Sequence, residues 1–183
     1  MRAVILVEGL SDRLALEAVA ARRGRDLDDE RVSVVAMDGA RNIGRFLERF
    51  GPRGQGIAMA GLFDAEEEPI VSRALRQAGG GSASARADVE RLGFFACVED
   101  LEDELIRALG AERVLEVVEG RGELRSFRTL GRQPEWRGRP VEQQLRRFLG
   151  AGATRKIVYA PLLVEALDPA AIPRPLDAVL GHV

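Results

Sequence analysis

The stretch Ala3-Val4-Ile5-Leu6-Val7-Glu8-Gly9-Leu10-Ser11-Asp12 decides the fold. Five consecutive apolar residues without alternation read as a strand buried on both faces of a parallel sheet. Residues 11–21 follow with apolar side chains at 14, 16, 18, 19 and 20, a helix for which Ser11 is the expected N-cap. The same order recurs along the chain. Strands are expected over 32–37, 56–63 and 94–98. Helices are expected over 43–50, 70–78 and 87–92, and from an Asp100 cap to Leu109. This βαβαβαβα pattern is that of an α/β doubly wound parallel sheet of about four strands, with helices on both faces.

Beyond Gly110 the chain turns mostly helical, with candidates at 112–118, 141–149 and 157–167, and residues 169–175 read as an extended tail closing over the domain. Two parts are therefore expected: an α/β core over 1–110 and a helical C-terminal extension over 111–183, packed on that core. Gly79-Gly80-Gly81-Ser82-Ala83-Ser84 reads as a flexible loop. No internal repeat is visible.

Composition narrows the chemistry. The 183 residues suit one domain with a full core, and 46% hydrophobic with 31% charged residues is ordinary for a globular protein. No run is apolar enough to span a membrane, and the start is too briefly apolar for a signal peptide. Cys97 is the only cysteine, so no internal disulfide forms and the cytoplasm is the expected compartment. Cys97 lies in Phe94-Phe95-Ala96-Cys97-Val98 and reads as a small core residue. His182, the only histidine, is penultimate, which sets aside histidine-based nucleophilic catalysis and histidine zinc sites. Carboxylates, arginines and one lysine remain.

The acids gather where strands end. Ala3–Val7 runs into Glu8 and Asp12, the third strand into Asp64-Ala65-Glu66-Glu67-Glu68, and the fourth into Glu99-Asp100-Leu101-Glu102-Asp103-Glu104. In a parallel sheet all strand C-termini lie on one edge, where ligands bind, so distant acids converge. Glu8 and Asp12 stand one helical turn apart, and Gly9 clears the turn between them for a metal or phosphate. If strand geometry continues past Asp64, then Asp64 and Glu66 point the same way and share a cation. Glu102 falls in a first helical turn, where a carboxylate also favours the helix dipole. Asp100 has an alternative role as an N-cap. Such clusters suit hard cations, Mg²⁺ or Mn²⁺.

Basic residues are distributed unevenly. Of 27 basic side chains, Lys156 alone is a lysine and the other 26 are arginines. A compact, strongly hydrated ammonium fits beside a metal or phosphate where a planar guanidinium does not. Residues 121–156 hold nine arginines, Lys156 and three acids, a net +7 in a chain whose total is −2. An acidic metal site beside a basic surface is the reading of this asymmetry, against the alternative of solvated helix faces.

The ordered set Val7-Glu8-Gly9-Leu10-Ser11-Asp12, Asp64-Ala65-Glu66 and Asp100-Leu101-Glu102-Asp103-Glu104-Leu105 resembles a Toprim domain, the module shared by topoisomerases, primases and several nucleases. It is more closely similar to the Toprim nuclease half of overcoming-lysogenization-defect (OLD) endonucleases, with Lys156, before Ile157-Val158-Tyr159-Ala160-Pro161, at the place of their C-terminal lysine. The resemblance spans residues 2–167. It departs from the usual Asp-x-Asp pair, here Asp64-Ala65-Glu66, for which Glu67 or Glu68 offers a substitute second acid. OLD proteins also carry an ATPase domain before the Toprim domain, so here the ATPase is expected to be absent or on another polypeptide; no Gly-x-x-x-x-Gly-Lys loop is present.

The resemblance implies metal-dependent hydrolysis of DNA, by an endonuclease or a related nucleotidyl transferase or hydrolase. It implies Glu8, Asp64 and Lys156 as catalytic residues, and Glu8, Asp12, Asp64, Glu66, Asp100 and Glu102 as ligands for one or two Mg²⁺ or Mn²⁺ ions. Arg125, Arg128, Arg132, Arg146, Arg147 and Arg155 are the expected contacts to DNA phosphates. Trp136 is read either as a base-stacking residue or as a partly buried core residue. Expected partners are DNA, a separate ATPase subunit and a second copy of the chain, with no membrane. Two other readings stay open: a catalytically weak Toprim module that binds nucleic acid or nucleotide and acts through a partner ATPase, and an α/β interaction domain whose acids are strand-end caps.

Overall fold

Four strands form one parallel sheet in the computed structural model, which describes residues 1–79, 81 and 85–183. They are β1 (Ala3–Val7), β2 (Val32–Ala36), β3 (Ala58–Phe63) and β4 (Phe94–Ala96), ordered β2-β1-β3-β4. Val7 pairs with Ala36, Leu6 with Gly61 and Phe63 with Ala96. The chain leaves β1 for β2 on one side, then crosses to β3 on the other. A topological switch point therefore lies between the C-terminal ends of β1 and β3, where such sheets open a crevice.

Ten α-helices surround the sheet among the described residues: α1 (Leu10–Arg22), α2 (Ile43–Phe50), α3 (Glu68–Gln77), α4 (Arg86–Arg91), α5 (Leu101–Leu109), α6 (Ala111–Gly120), α7 (Leu124–Gly131), α8 (Val141–Leu149), α9 (Ala153–Ala166) and α10 (Arg174–Gly181). Every residue of β1 is buried, because its two faces feed two cores. Ala3, Ile5 and Val7 share one core with Leu16 and Val19 of α1, Leu105 of α5, Leu163 of α9 and Leu176 of α10. Val4 and Leu6 point the other way, into a core with Ile43 and Leu47 of α2, Val71 of α3 and Val89 of α4. This is the period-two alternation of a strand read onto two helical layers. Each fully buried Leu, Ile or Phe contributes about 1.5–3 kcal/mol to that arrangement.

The helices after Gly110 join the first core through Val114, Phe127, Leu145 and Leu163. Arginines at and just beyond the end of α1 fasten their ends. Arg22 donates to the backbone carbonyls of Glu165 (2.9 Å) and Leu167, at the end of α9. Arg25 donates to the carbonyl of Leu180, near the end of α10. Last-turn carbonyls have no helical donor, and cations satisfy them well.

Three expectations are corrected here. Helix α1 starts at Leu10 with Gly9 as its N-cap, not Ser11; the backbone N–H of Gly9 donates to the Asp12 carboxylate at 2.8 Å. Residues 169–175 are not an extended tail: a 3₁₀ turn, Pro169–Ala171, leads into α10, whose Leu176, Val179 and Leu180 are buried. Prolines there mark a helix start, since the first N–H groups of a helix have no internal acceptor. Helix α7 is not among the expected helices: it is eight residues long, with Phe127 buried and Leu124 and Leu130 partly buried against the first core. Cys97 is buried, as expected of a core residue. Of the expected loop over 79–84, Gly80 and residues 82–84 lie outside the described residues.

Gly61 shows how closely the sheet is packed. A methyl group there would lie 2.5 Å from the Phe94 ring and 3.2 Å from the Leu6 carbonyl oxygen. Gly61→Ala is expected to cost about 1–3 kcal/mol by overpacking, read as a lower midpoint in urea unfolding with an unchanged m-value.

Candidate active site

Three connections at the C-terminal edge of the sheet carry the acids, and backbone bonds hold them together. After β1, the Glu8 carbonyl accepts from Gly39 N–H (3.1 Å), tying this turn to the one after β2. After β3, Asp64 keeps an extended backbone and the chain then tightens into a 3₁₀ turn, Ala65–Glu67. The N–H of Ala65 donates to the Glu99 carbonyl (3.1 Å), joining the β3 and β4 connections. After β4, the Asp100 side chain caps α5 by accepting from Asp103 N–H (2.8 Å). That cap places Leu101 and Glu102 in the first turn, with Glu102 only 5% exposed.

Glu8, Asp12, Asp64, Glu102 and Lys156 line one cavity of about 290 Å³ at the switch point. Lys156 enters it from the first turn of α9, and its Nζ donates to Glu102 Oε2 at 3.0 Å. Asp12 is held by the Gly9 N–H. The Glu8 and Asp64 carboxylates make no hydrogen bond or ion pair among the described residues.

The electrostatics follow from burial and crowding. Burial, followed by repulsion from Asp12, Glu8 and Asp100, pushes the Asp64 carboxyl up to about 8, with Lys156 opposing. Burial lifts Asp12 to about 6 despite the Gly9 hydrogen bond; Glu102 and Glu8 add to the rise. Glu8 is raised by burial and by Glu67. Burial works against a charged Lys156, but Glu102, Asp100 and Asp64 outweigh it and its pKa rises. One ammonium thus leaves several carboxylates short of positive charge. The donor set is all oxygen, anionic and partly desolvated, the chemistry that suits Mg²⁺ or Mn²⁺. Among the described residues, no three acidic, histidine or cysteine side chains already form a closed metal cluster; the acids instead line a shared cavity.

Several anticipated residues sit elsewhere. The 3₁₀ turn ends strand geometry at Asp64, so Asp64 and Glu66 do not alternate along one strand as anticipated. Glu66 is exposed and does not line the acid cavity, and Glu67 acts on Glu8 more strongly than Glu66 does. Glu68 pairs with Arg86 (2.6 Å). Asp100 faces an adjoining cavity of about 460 Å³ and binds Arg146 (2.8 Å).

That second cavity shares Glu102 and Lys156 with the first and adds Trp136, Arg139, Arg146 and Arg147. Arg125, Arg128 and Arg132 lie exposed on α7 and at its end. Arg155 turns inward instead: it pairs with Glu123 (2.8 Å), and its guanidinium carbon sits 4.1 Å from the Phe148 ring centroid. Two further residues take specific roles that the sequence alone does not assign them. Arg139 lies beside Trp136, and its only signal was that proximity in sequence. Glu104 is 4% exposed, accepts from Val98 N–H (2.7 Å) and pairs with Arg107 (2.8 Å), so it braces the β4–α5 connection.

The raised carboxyls make a stability prediction for the metal-free protein. Asp64 and Asp12 bind protons more tightly folded than unfolded, where each titrates near 3.8. Their protonated forms favour the fold most fully below pH 4, and that contribution is lost as pH rises through about 6 and then 8. The melting temperature is expected to fall over this window, and Asp64→Asn to flatten its upper part. Calorimetry at a series of pH values in a chelator checks this.

Comparison with known proteins agrees with this geometry. Residues 1–65 match the family model described as overcoming lysogenization defect protein-like, TOPRIM domain. No curated protein matches the sequence significantly. The C-terminal region of the Xanthomonas campestris pv. campestris OLD protein, in a structure phased with mercury, superposes with a TM-score of 0.74 at 23% identity, covering 99% of this chain and 93% of that one. The C-terminal region of the Burkholderia pseudomallei OLD protein superposes with a TM-score of 0.69 at 20% identity, covering 98% and 95%. Residues 1–65 are thus similar to an OLD-like Toprim domain, and the fold over the whole chain is that of the OLD C-terminal regions.

Proposed function

We propose that this chain is a metal-dependent nuclease of the OLD-like Toprim type that hydrolyses phosphodiester bonds in DNA. The observation that supports this best is the meeting of Glu8, Asp12, Asp64, Glu102 and Lys156 in one cavity at the switch point. Glu8, Asp12, Asp64 and Glu102 would hold one or two Mg²⁺ or Mn²⁺ ions. Such ions activate a water as nucleophile and stabilise the leaving oxygen.

The roles of the chain's own groups follow from their surroundings. The raised Asp64 carboxyl favours its protonated form in the metal-free protein, whereas a cation held there would favour the carboxylate, so metal binding would release protons. The Glu8 and Asp64 carboxylates, without partners among the described residues, are the ligands most available. Lys156 carries a compact positive charge to the rim of the acid cluster, where it offsets charge on a bound phosphate, and Glu102 fixes its position. The first turn of α9 contains no acid, so the positive end of the helix dipole also favours an anion there. Arg125, Arg128, Arg132, Arg146 and Arg147 neutralise flanking phosphates. Arg155, engaged with Glu123, is assigned to holding α9 on α7 and α8.

A second reading is a catalytically weak Toprim module that binds nucleic acid or nucleotide and acts through a partner ATPase. It is favoured by the existing engagements of Asp12 with Gly9 and of Glu102 with Lys156, which leave two uncommitted acids.

The deciding experiment is DNA cleavage with and without Mg²⁺ or Mn²⁺. Wild type is expected to cleave only with metal, and Asp64→Asn to fall to background while remaining folded. Metal-dependent cleavage by Asp64→Asn at the wild-type rate would place the site elsewhere; no cleavage by wild type favours the second reading. Lys156→Arg is expected to lose on the order of 10²-fold in turnover. It should keep DNA affinity at fixed salt, because the charge number and the counterion release are unchanged.

A further inference from the structure

The cavity beside the acid site contains an aromatic surface that metal chemistry does not use. Trp136 lies in the turn between α7 and α8, half-buried, and belongs to neither hydrophobic core. It lines the 460 Å³ cavity with Arg139, Arg146 and Arg147. The Arg139 guanidinium already stands over the indole, 5.3 Å from the ring centroid, and its Nε is held by the Glu135 carbonyl at 2.7 Å. Two planar groups suited to stacking therefore meet in one concave space. Arg147 is exposed and has no acidic partner among the described residues. Arg146 is anchored by Asp100. Lys156 and Glu102 form the boundary with the acid cavity, so a group seated beside Trp136 is next to whatever occupies the acid site.

We propose that this cavity is a subsite for one unstacked nucleotide, its base on Trp136 and its phosphate facing Arg147, so that single-stranded DNA or an unpaired nucleotide is the preferred substrate. The proposal rests on the nuclease reading for its place in catalysis. Its volume lies within the usual range of small-ligand pockets, about 300–1,000 Å³. A base inside a duplex shows only its edges, whereas stacking on a side chain requires an open face. Stacking tolerates any base, so the preference concerns strandedness and not sequence. An electrostatic surface alone would instead bind by phosphate count, with duplex DNA favoured for its higher charge density.

Trp136 is the only tryptophan in the chain, so its fluorescence reports this cavity alone. The test titrates metal-free Asp64→Asn protein with a short oligothymidylate, the same length of abasic strand, and a duplex of that length at one salt concentration. Quenching by the thymidylate is expected, with little quenching by the abasic strand or the duplex. Anisotropy of labelled strands should show about tenfold weaker single-strand binding for Trp136→Ala, near wild-type binding for Trp136→Phe, and unchanged duplex binding for both. Quenching by the abasic strand or the duplex equal to that by thymidylate, or no quenching at all, overturns the subsite. Because binding is read without metal, selective quenching together with no cleavage by wild type in Mg²⁺ or Mn²⁺ leaves the subsite standing and removes the nuclease reading. Cleavage by wild type without selective quenching does the reverse.

Discussion

The position of β1 governs everything else in this molecule. It is bonded on both sides, buried on both faces, and flanked by strands that the chain reaches in opposite directions. That arrangement separates the connections at its C-terminal end and opens a crevice whose walls are the residues just after β1 and β3. Glu8 and Asp64 are those residues. The β4 connection reaches the same space because Ala65 and Glu99 share a backbone hydrogen bond and Asp100 caps α5 there.

Placing acids in such a crevice is unfavourable by itself. Burial and mutual repulsion lift Asp64 and Asp12 well above ordinary carboxylates. Folding must therefore bring positive charge to this edge, and the C-terminal helices do so. Helix α9 lies against α1, fastened by Arg22, and delivers Lys156 to Glu102. Helix α8 delivers Arg146 to Asp100. The helical part is thus both a hydrophobic lid over one face of the sheet and the source of the basic wall beside the acids. One lysine and one arginine do not balance the cluster, and a divalent cation would meet the remaining demand.

The sheet was legible in the sequence because buried parallel strands are continuous apolar runs, and all four strands fall within the expected stretches. The convergence of Glu8, Asp64 and Glu102 was legible for the same reason, since strand ends share an edge. Boundaries and local turns were less so. Nothing in Asp64-Ala65-Glu66 distinguishes an extended exit from a 3₁₀ turn, and the backbone bond from Ala65 to Glu99 that accompanies the turn is long-range. Helix α7 spans only Leu124–Gly131, so the apolar spacing of Leu124, Phe127 and Leu130 covers barely two turns and is a weak signal. Helix α10 was hidden by prolines that suit both an extended tail and a helix start. Among the arginines, charge alone did not separate Arg155, folded onto Glu123 and Phe148, from Arg147, which faces the cavity; only tertiary packing does so.

The central claim is that the acids at the switch point form a divalent cation site. Anomalous diffraction from crystals soaked in Mn²⁺ tests it most directly. One or two peaks within coordination distance of Glu8 and Asp64 are the predicted result. Clear peaks only at other carboxylates, or an empty cavity at saturating Mn²⁺, would contradict it.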